Sequence, residues 1–125
     1  MSTIANITVE PAPDNPSVQI IHLSGEVDES NLPDFEQAVK PLVLDPSRKV
    51  LLFDFDGLKF ISSKVIGQFA YLYTTLAHSQ RQLVLARMDE NIKDIFALVG
   101  LDQIIPTYPD VNTALQSFNQ TPAAA

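Results

Sequence analysis

Polar and apolar residues alternate in two short segments near the start of the chain, residues 6–10 and residues 17–23. Alternation with a period of two is typical of strands that bury one face. Residues 11–16, which lie between these segments, hold three prolines and an Asp-Asn pair, and such a composition favours a turn. The pattern therefore predicts a β-hairpin.

A third segment, residues 49–55, is almost continuously apolar. Because a strand in the middle of a sheet is covered on both faces, this run predicts a central strand. Residues 82–86 predict a fourth strand, and residues 103–106 predict a brief last strand.

Four other segments repeat apolar residues at spacings of three and four, which predicts amphipathic helices. These helices are expected to begin near Leu32, Lys64, Asn91 and Val111. The candidate N-caps are Ser30 or Asn31, the pair Ser62-Ser63, Asp89 or Asn91, and Asp110. The apolar stripes are Leu32, Phe35, Val39 and Leu42; Val65, Phe69, Leu72 and Leu76; Ile92, Ile95, Phe96 and Val99; and Val111, Ala114, Leu115 and Phe118.

Strands and helices alternate after the hairpin, in the order β-β-α-β-α-β-α-β-α. This order predicts a single α/β domain, with a mixed sheet of about five strands and about four helices. The domain is expected to span residues 6–118. Residues 1–5 are expected to form a flexible N-terminus, and residues 119–125 a disordered tail.

The composition narrows the possible functions. Fifteen acidic and eight basic residues give a net charge of −7, which predicts that the protein does not bind nucleic acid. The chain has no cysteine, so disulfides and thiolate metal sites are excluded. No apolar run approaches the ~20 residues that span a bilayer, and the N-terminus does not resemble a signal peptide. We therefore expect a cytoplasmic protein without direct membrane insertion.

Residues suited to catalysis are few. His22 lies in a predicted strand and His78 at a helix end, and both positions favour a structural role. Phosphate-binding loops and catalytic motifs such as HExxH and GxSxG are absent from the sequence, so we expect neither an enzyme nor a cofactor. Glu26 and Asp28 fit a solvated loop, an acid/base pair or half of a cation site, and the loop is favoured because a hard cation needs more oxygen ligands than two.

The Ser62-Ser63 pair at a predicted helix start has two interpretations. A serine there caps the helix by accepting hydrogen bonds from its first free amides. A phosphoryl group on such a serine would also lie at the positive end of the helix dipole. Spacing alone favours the cap.

Four segments resemble, in order, motifs of STAS domains, the module of bacterial anti-sigma factor antagonists. They are residues 23–28 (LSGEVD), 60–67 (FISSKVIG), 98–105 (LVGLDQII) and 108–115 (YPDVNTAL). The resemblance covers about residues 6–118. It implies a regulatory protein that docks an anti-sigma factor, which is also a serine kinase.

In that family, phosphorylation at the start of the second helix releases the antagonist, and a PP2C-type phosphatase restores binding. Carried over to this sequence, the resemblance implies Ser63 as the phosphorylated residue, with Ser62 as second choice. It implies partner binding through Gly25, Glu26, Asp28, Ser62, Ser63 and Lys64.

Three positions depart from the family pattern, since the family's Asp, Ser/Thr and Gly are Ser62, Lys64 and Val65 here. These departures keep an alternative open. The chain would then be a STAS subunit that is not phosphorylated and serves a transporter or a larger signalling assembly, with an ABC-type ATPase as partner. A small enzyme on a similar sheet ranks below both, because the sequence lacks a nucleophile, a base and a phosphate loop.

Overall fold

The computed structural model describes residues 5–119 of the chain. The flexible N-terminus and the tail predicted for the two ends lie outside these residues, except for Ala5 and Asn119, and stay predictions. The elements are β1 (Ala5–Ala12), β2 (Asn15–Val27), α1 (Leu32–Leu44), β3 (Val50–Asp54), β4 (Leu58–Ile61), α2 (Ser63–His78), β5 (Gln82–Ala86), α3 (Glu90–Leu98), a short 3-10 helix (Leu101–Gln103), β6 (Thr107–Tyr108) and α4 (Val111–Asn119).

The strands form one mixed sheet. Five of them lie in the order β1-β2-β3-β5-β6, and β4 pairs with the far end of β2. β1 runs antiparallel to β2, and the other neighbouring strands are parallel. The described residues thus form six strands and four helices, which confirms the predicted fold class and adds one strand to the number expected.

The larger of two apolar cores lies between one face of the sheet and helices α1, α2 and α3. Its centre is a group of aromatic rings, of which Phe53 and Phe69 are closest, with 4.9 Å between ring centroids. Each edge-to-face or tilted pair of this kind adds about 0.5–1.5 kcal/mol beyond the burial of its area. The rings belong to Phe35, Phe53, Phe55, Phe69 and Phe96.

The smaller core lies on the opposite face of the sheet, under α4. Val18 and Ile20 of β2 contribute to it, together with Leu52 of β3, Val84 of β5 and Ala114 of α4. Every residue of β3 is buried, because α-helices cover both of its faces. The prediction of a central strand at this point is confirmed.

The strand predicted at residues 103–106 is wrong. Gly100, with φ +79°, turns the chain into the 3-10 helix, and Ile105 is buried in the larger core. The last strand is instead the two-residue β6, which pairs with Leu85 and Ala86. The prediction failed because a short apolar pair such as Ile-Ile is compatible both with a strand and with a buried turn.

Two further details differ from the expectations. Residues 58–61, for which no strand was predicted, form β4 along β2. Val99 was placed on a buried helix face, but it lies just after α3 and is 56% exposed. The other members of the predicted apolar stripes are buried or partly buried.

Candidate docking and modification site

The pairing of β2 with β4 brings the two predicted site segments together. Glu26 is paired with Phe60, and Val27 with Ile61. The backbone N–H of Ser62 donates to the carbonyl of Val27 at 3.1 Å, so the ladder continues to the start of α2. Residues that are more than thirty positions apart in sequence therefore form one surface.

Glycine is required where the two segments approach each other. Gly25 (φ +88°) and Gly57 (φ +86°) both adopt the left-handed backbone region, and the N–H of Gly25 donates to the carbonyl of Gly57 at 2.9 Å. A Cβ atom on Gly57 would lie only 3.1 Å from the Cβ of Ser24. Substitution at Gly57 would therefore strain the turn that leads into β4.

A buried asparagine fixes the segment Gly25–Asp28. The Asn31 side chain donates from Nδ2 to the carbonyl of Glu26 at 2.8 Å and accepts at Oδ1 from the N–H of Asp28 at 3.0 Å. Asp28 in turn accepts from the N–H and the hydroxyl of Ser30. Asn31 does occupy the N-cap position of α1, as predicted, but its side chain makes no capping hydrogen bond and holds this loop instead.

The two serines have different environments. Ser62 is the N-cap of α2, and its hydroxyl accepts a hydrogen bond from the N–H of Val65 at 3.3 Å. Ser63 is the first helical residue, and its side chain is exposed. Its hydroxyl makes no hydrogen bond to any residue from 5 to 119. The capping role therefore belongs to Ser62, and the accessible hydroxyl to Ser63.

The exposed and half-buried side chains around Ser63 define what we call the Ser63 face: Glu26, Asp28, Phe60, Ser63 and Lys64. Asp28 is half-buried and the others are exposed. Phe60 is 45% exposed, whereas the five phenylalanines of the larger core are buried. Phe60 was not among the predicted site residues, because its place beside Glu26 depends on β4, a strand that was not predicted.

A second polar group, which we call the His22 network, consists of Glu10, His22, Asp54 and Arg87. His22 approaches Asp54 Oδ2 with Nδ1 at 2.7 Å and Glu10 Oε2 with Nε2 at 2.6 Å. Arg87 donates to both oxygens of Asp54, from Nε at 2.9 Å and from Nη2 at 2.8 Å. A structural role was predicted for His22. Its partners Glu10 and Asp54 were not predicted, because they lie on other strands.

The electrostatics of this network follow from its contacts. Burial disfavours the imidazolium, but its hydrogen bonds to the carboxylates of Glu10 and Asp54 outweigh burial and raise the pKa of His22. Asp54 is buried, which works against its charge, yet the hydrogen bonds from Arg87 and His22 lower the pKa of this carboxyl. The hydrogen bond to Asp54 raises the pKa of Arg87.

Among residues 5–119, no group of three or more His, Asp or Glu side chains is placed to hold a metal ion. Over the same residues, none of the helices combines the length and the apolar character needed to cross a bilayer.

Comparison with known proteins points to one family. The STAS domain profile matches residues 11–114, whereas curated protein sequences give no significant match. An anti-sigma factor antagonist from Mycobacterium paratuberculosis is 25% identical, with a TM-score of 0.82 over 95% of this chain and 99% of that chain. The unphosphorylated anti-sigma factor antagonist SpoIIAA is 14% identical, with a TM-score of 0.77 over 94% of this chain and 99% of that chain.

Two other solved structures extend the comparison. SpoIIAA of Bacillus in its phosphorylated form has a TM-score of 0.69 at 14% identity, over 94% of this chain and 100% of that chain. The murine anion transporter Slc26a9 is 17% identical, with a TM-score of 0.71, and the match covers 96% of this chain but only 22% of the transporter. Since the family profile spans most of the sequence, this chain belongs to the STAS domain family.

Proposed function

We propose that this protein is a regulatory binding protein of the anti-sigma factor antagonist type. It docks an anti-sigma factor that is also a serine kinase, through the Ser63 face, and phosphorylation of Ser63 switches the binding. The observation that supports this proposal best is the exposed Ser63 hydroxyl at the first turn of α2, beside the segment Gly25–Asp28.

The chemistry of the site suits a phosphoryl switch. A phosphoryl group adds about −1.5 to −2 charge and three acceptor oxygens. On Ser63 it would lie near the free amides and the positive end of a sixteen-residue helix, which stabilise an anion there. The added charge would also join those of Glu26 and Asp28, so the surface that a partner meets would change while the fold remained.

Similarity to known structures supports the same function. The Mycobacterium protein with the same fold is described as an anti-sigma factor antagonist. SpoIIAA has been solved both unphosphorylated and phosphorylated, so this fold accommodates both states. In this proposal a PP2C-type phosphatase reverses the modification of Ser63, and the protein itself is not an enzyme.

Phosphorylation is tested with the partner kinase, ATP and intact-mass measurement. The partner is first captured from the native organism on the unmodified protein and identified by mass spectrometry. We expect a mass gain of about 80 Da, the mass of one phosphoryl group, in wild-type and Ser62→Ala proteins but not in Ser63→Ala. A product that survives Ser63→Ala and disappears with Ser62→Ala would assign the switch to the other hydroxyl.

Docking is tested separately with the purified partner. Buried aromatic side chains at the centre of an interface contribute disproportionately to affinity. Phe60→Ala is therefore expected to weaken binding by about tenfold or more. Tyr71→Ala is the matched control, because Tyr71 is an exposed aromatic residue further along α2, at 66% exposure. Equal affinities for both variants and wild type would place the interface elsewhere.

The runner-up is a STAS subunit of a transporter or signalling assembly that is never phosphorylated. The similarity to the part of Slc26a9 that matches this chain favours it, as do Ser62, Lys64 and Val65, which depart from the family motif. An ABC-type ATPase would be the partner in this case. Capture of such an ATPase, together with a mass that ATP never changes, would select this alternative.

A further inference from the structure

The His22 network connects three strands of the sheet. Along β2, Ile21 and Leu23 belong to the larger core, so His22 points to the opposite face, where Ile20 joins the smaller core. Glu10 reaches it from the edge strand β1, and Asp54 reaches it from the central strand β3. The imidazole thus bridges two carboxylates that the chain itself supplies.

Both ring nitrogens have a carboxylate oxygen within hydrogen-bonding distance, at 2.6 and 2.7 Å. A neutral imidazole carries one N–H, so it can donate only one of these hydrogen bonds and would turn a lone pair toward the other carboxylate. An imidazolium carries two N–H groups and satisfies both. The geometry therefore requires the protonated ring when both carboxylates are ionised.

The two carboxylates differ in how firmly they are held. Asp54 is only 2% exposed, accepts two hydrogen bonds from Arg87 and also accepts from the N–H of Asp56 at 3.1 Å. The side chain of Glu10 is 59% exposed, and its contact with His22 holds this side chain against the sheet. When the ring loses a proton, the remaining N–H is expected to stay on Asp54, and Glu10 is the group that detaches.

The other charges near the network come from three loops. Arg87 follows β5, with φ +61°, and Asp56 follows β3, with Oδ2 3.6 Å from Arg87 Nη2. Asp110, which precedes α4, interacts with Arg87 electrostatically. Carboxylates thus outnumber the cations around His22, which favours the imidazolium.

We propose that His22 is a proton-dependent lock, in which the imidazolium ties the edge strand β1 to β3 and its deprotonation releases Glu10. The lock is independent of the proposed docking function, and no partner is needed to test it. Since β1 has an open edge, a change in its attachment alters how firmly the sheet's outermost ladder is held.

The protonation state is tested by ¹⁵N NMR of the imidazole in a His78→Gln background, which leaves one histidine. Both His22 nitrogens are expected to show imidazolium shifts at pH 6.5, and titration is expected above that pH. Glu10→Gln should lower the titration midpoint, whereas Glu36→Gln, which changes an exposed glutamate on α1, should not. A neutral ring at pH 6.5, or a midpoint that Glu10→Gln leaves unchanged, would overturn the proposal.

The release of β1 is tested by amide hydrogen exchange across the same pH range, corrected for intrinsic exchange. Amides of residues 6–10 should exchange up to about fivefold faster above the His22 midpoint. This limit is the largest effect expected from the loss of one exposed ion pair. The step should be absent in Glu10→Gln and present in Glu36→Gln. A wild-type rate without a step would show that protonation does not control the strand.

Discussion

At the scale of single residues, Phe69 is central to the packing of the larger core. It is fully buried, and its ring lies 4.9 to 6.0 Å from those of Phe35, Phe53, Phe55 and Phe96. A side chain with four aromatic neighbours cannot be truncated without leaving a cavity, because interiors are close-packed.

Phe69→Ala is expected to lower the free energy of unfolding by about 3–5 kcal/mol, from lost burial and the cavity. Tyr71→Ala, two residues along the same helix and largely exposed, should change it by less than about 0.5 kcal/mol. Urea denaturation followed by circular dichroism measures both. A loss at Phe69 no larger than that at Tyr71 would contradict the described core.

The two neighbouring serines allow a comparison within one helix start. Ser62→Ala removes the cap on the Val65 amide and should lower the free energy of unfolding by about 0.5–2 kcal/mol. Ser63→Ala removes an exposed hydroxyl and should change it by no more than about 0.5 kcal/mol. Denaturation of the two variants under identical conditions tests this difference. The reverse order would exchange the two roles and weaken the case for Ser63 as the modified residue.

At the scale of elements, α1 depends on an arginine from far along the chain. The last turn of α1 contains no basic residue, yet Arg81 is buried and its Nη1 donates to the carbonyls of Leu42, Asp45 and Arg48. Its Nη2 donates to the carbonyl of Val43. The guanidinium thus adds hydrogen bonds at the end of α1 and in the loop that follows, where the carbonyls of Leu42 and Asp45 also accept from backbone N–H groups.

Arg81→Lys is expected to lower the free energy of unfolding by about 1–3 kcal/mol, because one ammonium cannot reach the same set of buried carbonyls. Amides near the end of α1 should also exchange faster. Lys49→Arg is a suitable control, since Lys49 is exposed beside the same loop and should tolerate the change. Equal stability of Arg81→Lys and wild type would mean that water replaces the guanidinium.

Elements with a strong local pattern could be predicted from the sequence, and elements defined by distant pairing could not. β3 was predicted because its apolar run signals burial on both faces, and α2 because Val65, Phe69, Leu72 and Leu76 keep a helical spacing. β4 has only four residues and its identity as a strand depends on β2. Short segments of this kind carry too little periodicity to distinguish a strand from a connection.

The same distinction applies to the candidate site. The motif resemblance indicated that the segment Gly25–Asp28 and the serine pair act together, and the β2–β4 ladder accounts for their proximity. The roles of Asn31 and Phe60 required the folded structure, because one depends on a loop and the other on β4. The His22 network was not foreseen either, since Glu10, His22 and Asp54 meet only through the register of three strands.

At the scale of the whole molecule, stability is expected to vary with pH in two opposite directions. Hydrogen bonds from Ser47 lower the pKa of Asp45, those from Thr113 lower the pKa of Asp110, and the His22 network lowers the pKa of Asp54. Stability from these carboxyls is present above their ordinary value of 3.8 and is lost as pH falls through their folded-state values. His22 behaves oppositely, because the network raises its pKa above the ordinary value of 6.5.

The free energy of unfolding should therefore be highest between about pH 4 and pH 6.5, and should decline on both sides of this range. The alkaline decline has one main source, since the stability that His22 contributes is fully present below 6.5 and is lost as pH rises through its raised pKa. Urea denaturation from pH 3 to pH 9 would measure the decline in the free energy of unfolding on both the acid and the alkaline side. His22→Gln should remove most of the alkaline decline and His78→Gln should retain it, because His78 is exposed at the end of α2. A wild-type protein that grows more stable from pH 6.5 to pH 8.5 would show that the two carboxylates do not hold an imidazolium.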